Sequence, residues 1–114
     1  MSPIPALPFS KVRRIGRTVY LSGELGFAAD GSIPEGIEAQ TANCLERIRA
    51  TLEGEGLSMA NVVSCTCYLV DRADFAAFNG VYARYFTDPL PVRTTVESGL
   101  MIDAKVEITV IAEA

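Results

Sequence analysis

The segment Pro91-Val92-Arg93-Thr94-Thr95-Val96-Glu97 has the two-residue period of a strand with unlike faces. Val92, Thr94 and Val96 alternate with Arg93, Thr95 and Glu97. A second segment repeats the pattern, setting Val106, Ile108 and Val110 against Glu107 and Thr109. The aliphatic set is expected to lie beneath helices. The other set carries the charges and hydroxyls, with Ser64 and Thr66 on the equivalent side of a middle strand. A half-polar face that also holds Val and Ile is expected to bury against another subunit, leaving wet pockets where charges collect.

Working outward from these strands gives the rest of the order. Residues 11–15 and 18–22 read as short strands around the turn at Gly16-Arg17, followed by an irregular loop through Asp30-Gly31 and Pro34. From Ile37 to about Glu55, Ala42, Leu45, Ile48 and Leu52 recur at helical spacing, and Gly54 and Gly56 stop the helix. Val62 to Val70 is a strand rich in Val, Thr, Cys and Tyr. Asp71 can cap the next helix, with Asp74 favouring its positive end. That helix carries Phe75, Phe78, Tyr82, Tyr85 and Phe86 along one side, a stripe that reads as core, and Asp88-Pro89-Leu90-Pro91 ends it. Strands before and between two helices predict an α+β fold: a mixed sheet with two helices on one face, in one domain spanning 1–114.

Composition narrows the chemistry. About half of the 114 residues are apolar and a fifth are charged, which excludes a disordered or fibrous chain. The proline-rich start has no basic region or long apolar run, and no segment approaches the ~20 apolar residues that span a bilayer. A soluble, cytoplasmic protein with no membrane partner is expected. The net charge of -4 disfavours nucleic acid as a partner, and the basic group Lys11, Arg13, Arg14 and Arg17 reads as a solvated strand and turn. Three cysteines predict reduced thiols, with Cys65 and Cys67 sharing one strand face in the core. The chain has no histidine, so triads, Cys-His pairs and histidine shuttles are unavailable within it, and neither a metal nor a cofactor is expected. Acid–base work falls to carboxylates, Tyr, Lys, Cys or water, which suits an easy reaction.

Arg93 carries the clearest binding signal. Its planar fork matches a carboxylate through two parallel hydrogen bonds, although a surface or interface ion pair would use the same residue.

Several short motifs, taken in order, resemble the reactive intermediate deaminase (RidA) family, also known as endoribonuclease L-PSP. Pro8-Phe9-Ser10 resembles the family's Gly-Pro-Tyr-Ser opening, and Ser22-Gly23-Glu24-Leu25-Gly26 its Ser-Gly-Gln segment. Gln40-Thr41 early in the first helix is similar too, as is Asp74-Phe75 followed by Asn79, Tyr82 and Tyr85-Phe86. Pro91-Val92-Arg93 resembles the family's Pro-Ala-Arg signature, and Val106-Glu107-Ile108 its closing Ile-Glu-Ile. The resemblance implies the Bacillus-type chorismate mutase fold and a homotrimer with a pocket in each seam. It warns against assuming that the last two strands form a hairpin.

The implied activity is hydrolysis of enamines and imines, such as 2-aminoacrylate and 2-imino acids, to 2-keto acids and ammonia. Arg93 and Glu107 would be the catalytic pair, holding the carboxylate and handling water. Phe9, Gly23, Asn79 and Thr95 would complete the substrate site. The alternatives are a pathway-specific deaminase of a larger enamine, or a non-catalytic module that binds small carboxylates. Phe9 in place of tyrosine, Thr95 in place of cysteine, Glu24 in place of glutamine and a short 99–104 connection depart from the family pattern.

Overall fold

A computed structural model describes residues 7–114; Met1 to Ala6, most of the proline-rich start, lie outside the described residues. Gly16 takes φ of 58°, a left-handed turn that lets β1 (Val12–Ile15) fold back antiparallel onto β2 (Thr18–Leu21). A two-residue strand, β3 (Glu24–Leu25), follows. Helix α1 (Ile37–Gly54) ends where Gly56 adopts φ of 76°, with Leu57 N donating to Leu52 O at 2.9 Å and Gly56 N to Glu53 O at 3.0 Å. Then come β4 (Val62–Leu69), α2 (Phe75–Tyr82), β5 (Val92–Glu97) and β6 (Val106–Glu113). Asp71 caps a 3-10 turn just ahead of α2, its carboxylate accepting from Ala73 N at 2.9 Å.

The sheet runs β1-β2-β6-β4-β5, with β3 paired to β6. β4 is antiparallel to β6 and parallel to β5, so the last two strands are consecutive in the chain yet separated by β4. Two helices cover one face of this mixed sheet, as the α+β reading requires. Leu45, Ile48 and Leu52 of α1 and Phe78 of α2 pack against Val19, Cys67, Val106, Ile108 and Val110, all buried.

One expectation about the faces is corrected. On β6 the aliphatic set does lie beneath the helices, and on β4 Cys65 and Cys67 do so. On β5 the phase is reversed: Val92 is 70% exposed and Val96 39%, while Arg93 and Thr95 point inward. The cause is register. β5 runs parallel to β4 with Arg93 beside Cys65 and Thr95 beside Cys67, so these four share the helix face. Val92, Thr94 and Val96 therefore join Ser64, Thr66 and Tyr68 on the open face. That face is more apolar than the alternation predicted.

The three cysteines are free and buried. Burial pushes the Cys67 thiol up to about 12 and raises Cys44 and Cys65 as well, while the nearby Arg93 charge pulls Cys65 and Cys67 partly back. Folded protein should thus resist iodoacetamide at pH 8 and label at all three thiols only in denaturant. The unfolded chain loses its thiol protons near its ordinary value of about 8.5 and the folded chain does not, so stability should fall as pH rises from there toward 12. A urea midpoint measured from pH 8 to 11 checks the slope.

Candidate active site

Arg93, the second residue of β5, lies against the side of α2 at the sheet edge, nearest the helix's last residue, Tyr82. Its guanidinium carbon lies 4.8 Å from the Tyr82 ring centroid, 5.5 Å from Phe78 and 5.7 Å from Phe75. The rings attract the cation through their quadrupoles and shield its apolar stem from water. Among the described residues Arg93 has no carboxylate partner within ion-pair distance, since the four ion pairs are Arg47–Glu24, Arg49–Glu46, Arg72–Glu97 and Lys105–Asp74. A half-buried guanidinium stacked on three rings with no anion opposite is prepared to accept one.

Polar atoms around it are also unpartnered. Asn79 Oδ1, Tyr82 Oη and Thr95 Oγ1 are buried and have no hydrogen-bond partner among the described residues. Tyr82 faces the Cys65 thiol too loosely to bond it, and burial first, then that thiol, raises its phenol far above the usual range. Two clefts lie along β5, the first lined by Arg93 and the second meeting its aromatic bed at Phe75. One, of about 530 Å³, includes Asn79, Tyr82, Leu90, Pro91 and Arg93 itself. The other, of about 430 Å³, is bounded by Leu69, Arg72, Phe75, Thr95, Val96 and Glu97.

Glu107 is elsewhere. It lies opposite Tyr68 on β4 and Leu25 on β3, on the open face of the sheet, while Arg93 is on the helix face. Its carboxylate rests on Gly23, where an added Cβ would collide with it. The Glu107 side chain thus occupies the space that a methyl group at Gly23 would take. The strand ahead of Gly23 is tied to the Phe9 region, with Ser22 Oγ donating to Ser10 O at 2.5 Å. Phe9 itself is 59% exposed. The fold thus gathers Arg93, Asn79 and Thr95 on one side, and Glu107 and Gly23 with the Phe9 segment on the other.

Glu24 is at neither place. Its side chain turns under α1 and pairs with Arg47 at 2.8 Å, so its departure from the family's glutamine supports a helix contact. Sequence reasoning missed the aromatic bed of Arg93. The aromatic stripe is core at Phe78, Tyr82 and Phe86, which are buried as expected, but Phe75, Phe78 and Tyr82 also form the surface on which the cation lies. Recurrent aromatics signalled the stripe; no local pattern signalled that an arginine from a distant strand would cover it.

The whole chain, residues 1–114, matches the family model described as Endoribonuclease L-PSP. The 2-iminobutanoate/2-iminopropanoate deaminase of Capra hircus is 34% identical over 97% of this chain and 83% of its own. Archaeal relatives up to 40% identical carry only the name RutC family protein; that of Saccharolobus solfataricus is 39% identical, with 98% of this chain and 91% of its own covered. The crystal structure of RidA from a Psychrobacter species superposes with a TM-score of 0.91 at 34% identity, covering 99% of this chain and 94% of that one. E. coli TdcF with bound serine gives 0.88 at 30% identity, covering 99% and 93%. With the fold, the ordered motifs and full-length matches in agreement, the chain belongs to the RidA (endoribonuclease L-PSP) family.

Proposed function

We propose that this protein hydrolyses 2-imino acids and their enamine tautomers to 2-keto acids and ammonia. The observation that carries the reading is Arg93, a half-buried cation on an aromatic bed with no counter-ion among the described residues. A substrate carboxylate would supply that counter-ion through two parallel hydrogen bonds. The serine bound to the related TdcF, an amino acid with the same α-carboxylate, supports this choice of ligand. Asn79 Oδ1, unpartnered in the cleft that Arg93 lines, can accept from the substrate's iminium N–H.

The reaction needs little else. A protonated imine carbon is electrophilic, so the oxygen of water adds to it while a carboxylate takes one proton of that water. The carboxylic acid so formed returns its proton to the nitrogen of the carbinolamine; the C–N bond then breaks as C=O forms, the hydroxyl proton passes back to the carboxylate, and ammonia leaves. Orientation and one proton carrier suffice. Glu107 fits the carrier's role, but it lies on the opposite face from Arg93 in its own chain. The site is therefore complete only when a second copy brings Glu107, Gly23 and its Phe9 segment to the β5 edge. The apolar open face with Val92 and Val96 exposed favours that assembly. We assign it as a homotrimer with three seams.

The test is release of keto acid from 2-aminoacrylate generated in situ by a pyridoxal-phosphate dehydratase. The protein should accelerate release severalfold over buffer at micromolar concentration. No acceleration with this substrate or with imines of larger amino acids would sink the reading and leave a non-catalytic carboxylate-binding module.

A further inference from the structure

We propose that Glu97 is a charge filter for the substrate's side chain: by neutralising Arg72, it makes the second cleft beside Arg93 a subsite for uncharged apolar groups. This rests on the deaminase reading and specifies its substrate class. The two clefts differ in chemistry. The one holding the unpartnered Asn79 Oδ1 suits the reacting nitrogen. The other wraps the edge of β5, with Leu69, Phe75 and Thr95 on the helix face that carries Arg93 and Val96 on the open face. Phe75 is shared, since its ring lies under the Arg93 guanidinium and also bounds this second cleft. Two residues along a strand is about 6.6 Å, which is spanned by the ~5 Å from a carboxylate carbon to the δ carbon of an amino acid together with the ~2.9 Å of its hydrogen bond to Arg93. A ligand gripped at Arg93 thus extends its side chain past Thr95 toward the far end of the cleft.

That far end holds a second arginine. Left alone, Arg72 would attract a distal carboxylate and give the site a preference for dicarboxylic substrates. Glu97 prevents this. Its Oε2 accepts from Arg72 N at 2.8 Å, and its Oε1 faces Arg72 Nε and Nη2, each at 3.4 Å. The backbone bond fixes the carboxylate in place, while the guanidinium is 84% exposed and held only by long contacts. Arg72 could swing to a ligand at little cost, but Glu97 would stay and repel the same anion. The rim is neutral, and the walls are apolar.

The product-like keto acids 4-methyl-2-oxopentanoate and 2-oxoglutarate test this by calorimetric titration, since both bind without turnover. The wild-type protein should prefer the former by about tenfold or more, the discrimination expected of a neutral apolar subsite against a charged group. Glu97→Gln keeps an acceptor for Arg72 N and should shift that ratio toward 2-oxoglutarate by about tenfold. In the Arg72→Leu, Glu97→Gln double variant the shift should vanish. A wild-type preference for 2-oxoglutarate, an unchanged ratio in Glu97→Gln, or binding of neither acid would overturn the proposal. Parallel assays with imines made from leucine and glutamate by an amino-acid oxidase separate it from the deaminase reading. Selective binding without turnover sinks the deaminase alone, and turnover of both imines without discrimination sinks the charge filter alone.

Discussion

Arg93→Ala should lower kcat/KM by about 10²–10⁴-fold on any imine the protein hydrolyses, because two charge-assisted hydrogen bonds worth ~1.5–3 kcal/mol each are lost together. Most of the loss should appear in KM if the carboxylate is held equally in ground and transition states, and in kcat if the clamp sets the angle of water attack. Stability should change much less. Among the described residues Arg93 has no ion pair to break, and its stacking on Phe75, Phe78 and Tyr82 contributes on the order of 1 kcal/mol. Arg93→Lys should recover only part of the activity, since an ammonium cannot present a planar fork. Steady-state kinetics beside a thermal melt checks all of this. Activity and Tm falling in proportion for both variants would show Arg93 to be a structural residue.

Which parts of this arrangement could be read in advance follows from how local each signal is. α1 was legible to within a residue because its apolar spacing and terminating glycines are local, and α1 does run Ile37–Gly54. β3 was not legible: two residues carry no period, and only pairing with β6 makes Glu24–Leu25 a strand. The inversion of β5 has the same origin. Alternation shows that Val92 and Arg93 face opposite ways, but only the parallel register with β4 decides which of them faces the helices. The default, aliphatic inward and charged outward, failed because α2 offers arginine a bed of flat rings, while the open face is itself apolar enough for Val92 and Val96. Arg93, Glu107, Gly23, Asn79 and Thr95 were all named from motifs. Their division into two groups on opposite faces is a property of the pairing, and a motif read along the chain carries no record of it.

That division gives the trimer a decisive test. If each pocket takes Arg93 from one copy and Glu107 from the next, an Arg93→Ala chain and a Glu107→Gln chain, each nearly inactive alone, should complement when co-expressed. Equal mixing makes about three-quarters of the trimers mixed, and each mixed ring contains one seam of three with both intact residues, so about a quarter of wild-type activity should return. Tandem purification on two different tags removes the homotrimers and should raise the value to about a third. The same geometry predicts the behaviour of Gly23→Ala. Its new methyl meets the flexible end of Glu107, so the chain should fold, but the displaced carboxylate should lower kcat by about tenfold or more. Placed in the Arg93→Ala chain, Gly23→Ala should weaken complementation, because that chain supplies the working Glu107; placed in the Glu107→Gln chain, it should have almost no effect. Mixed trimers that stay as inactive as their parents would place both catalytic groups of each pocket in one chain and overturn the assignment of the site to a seam between copies.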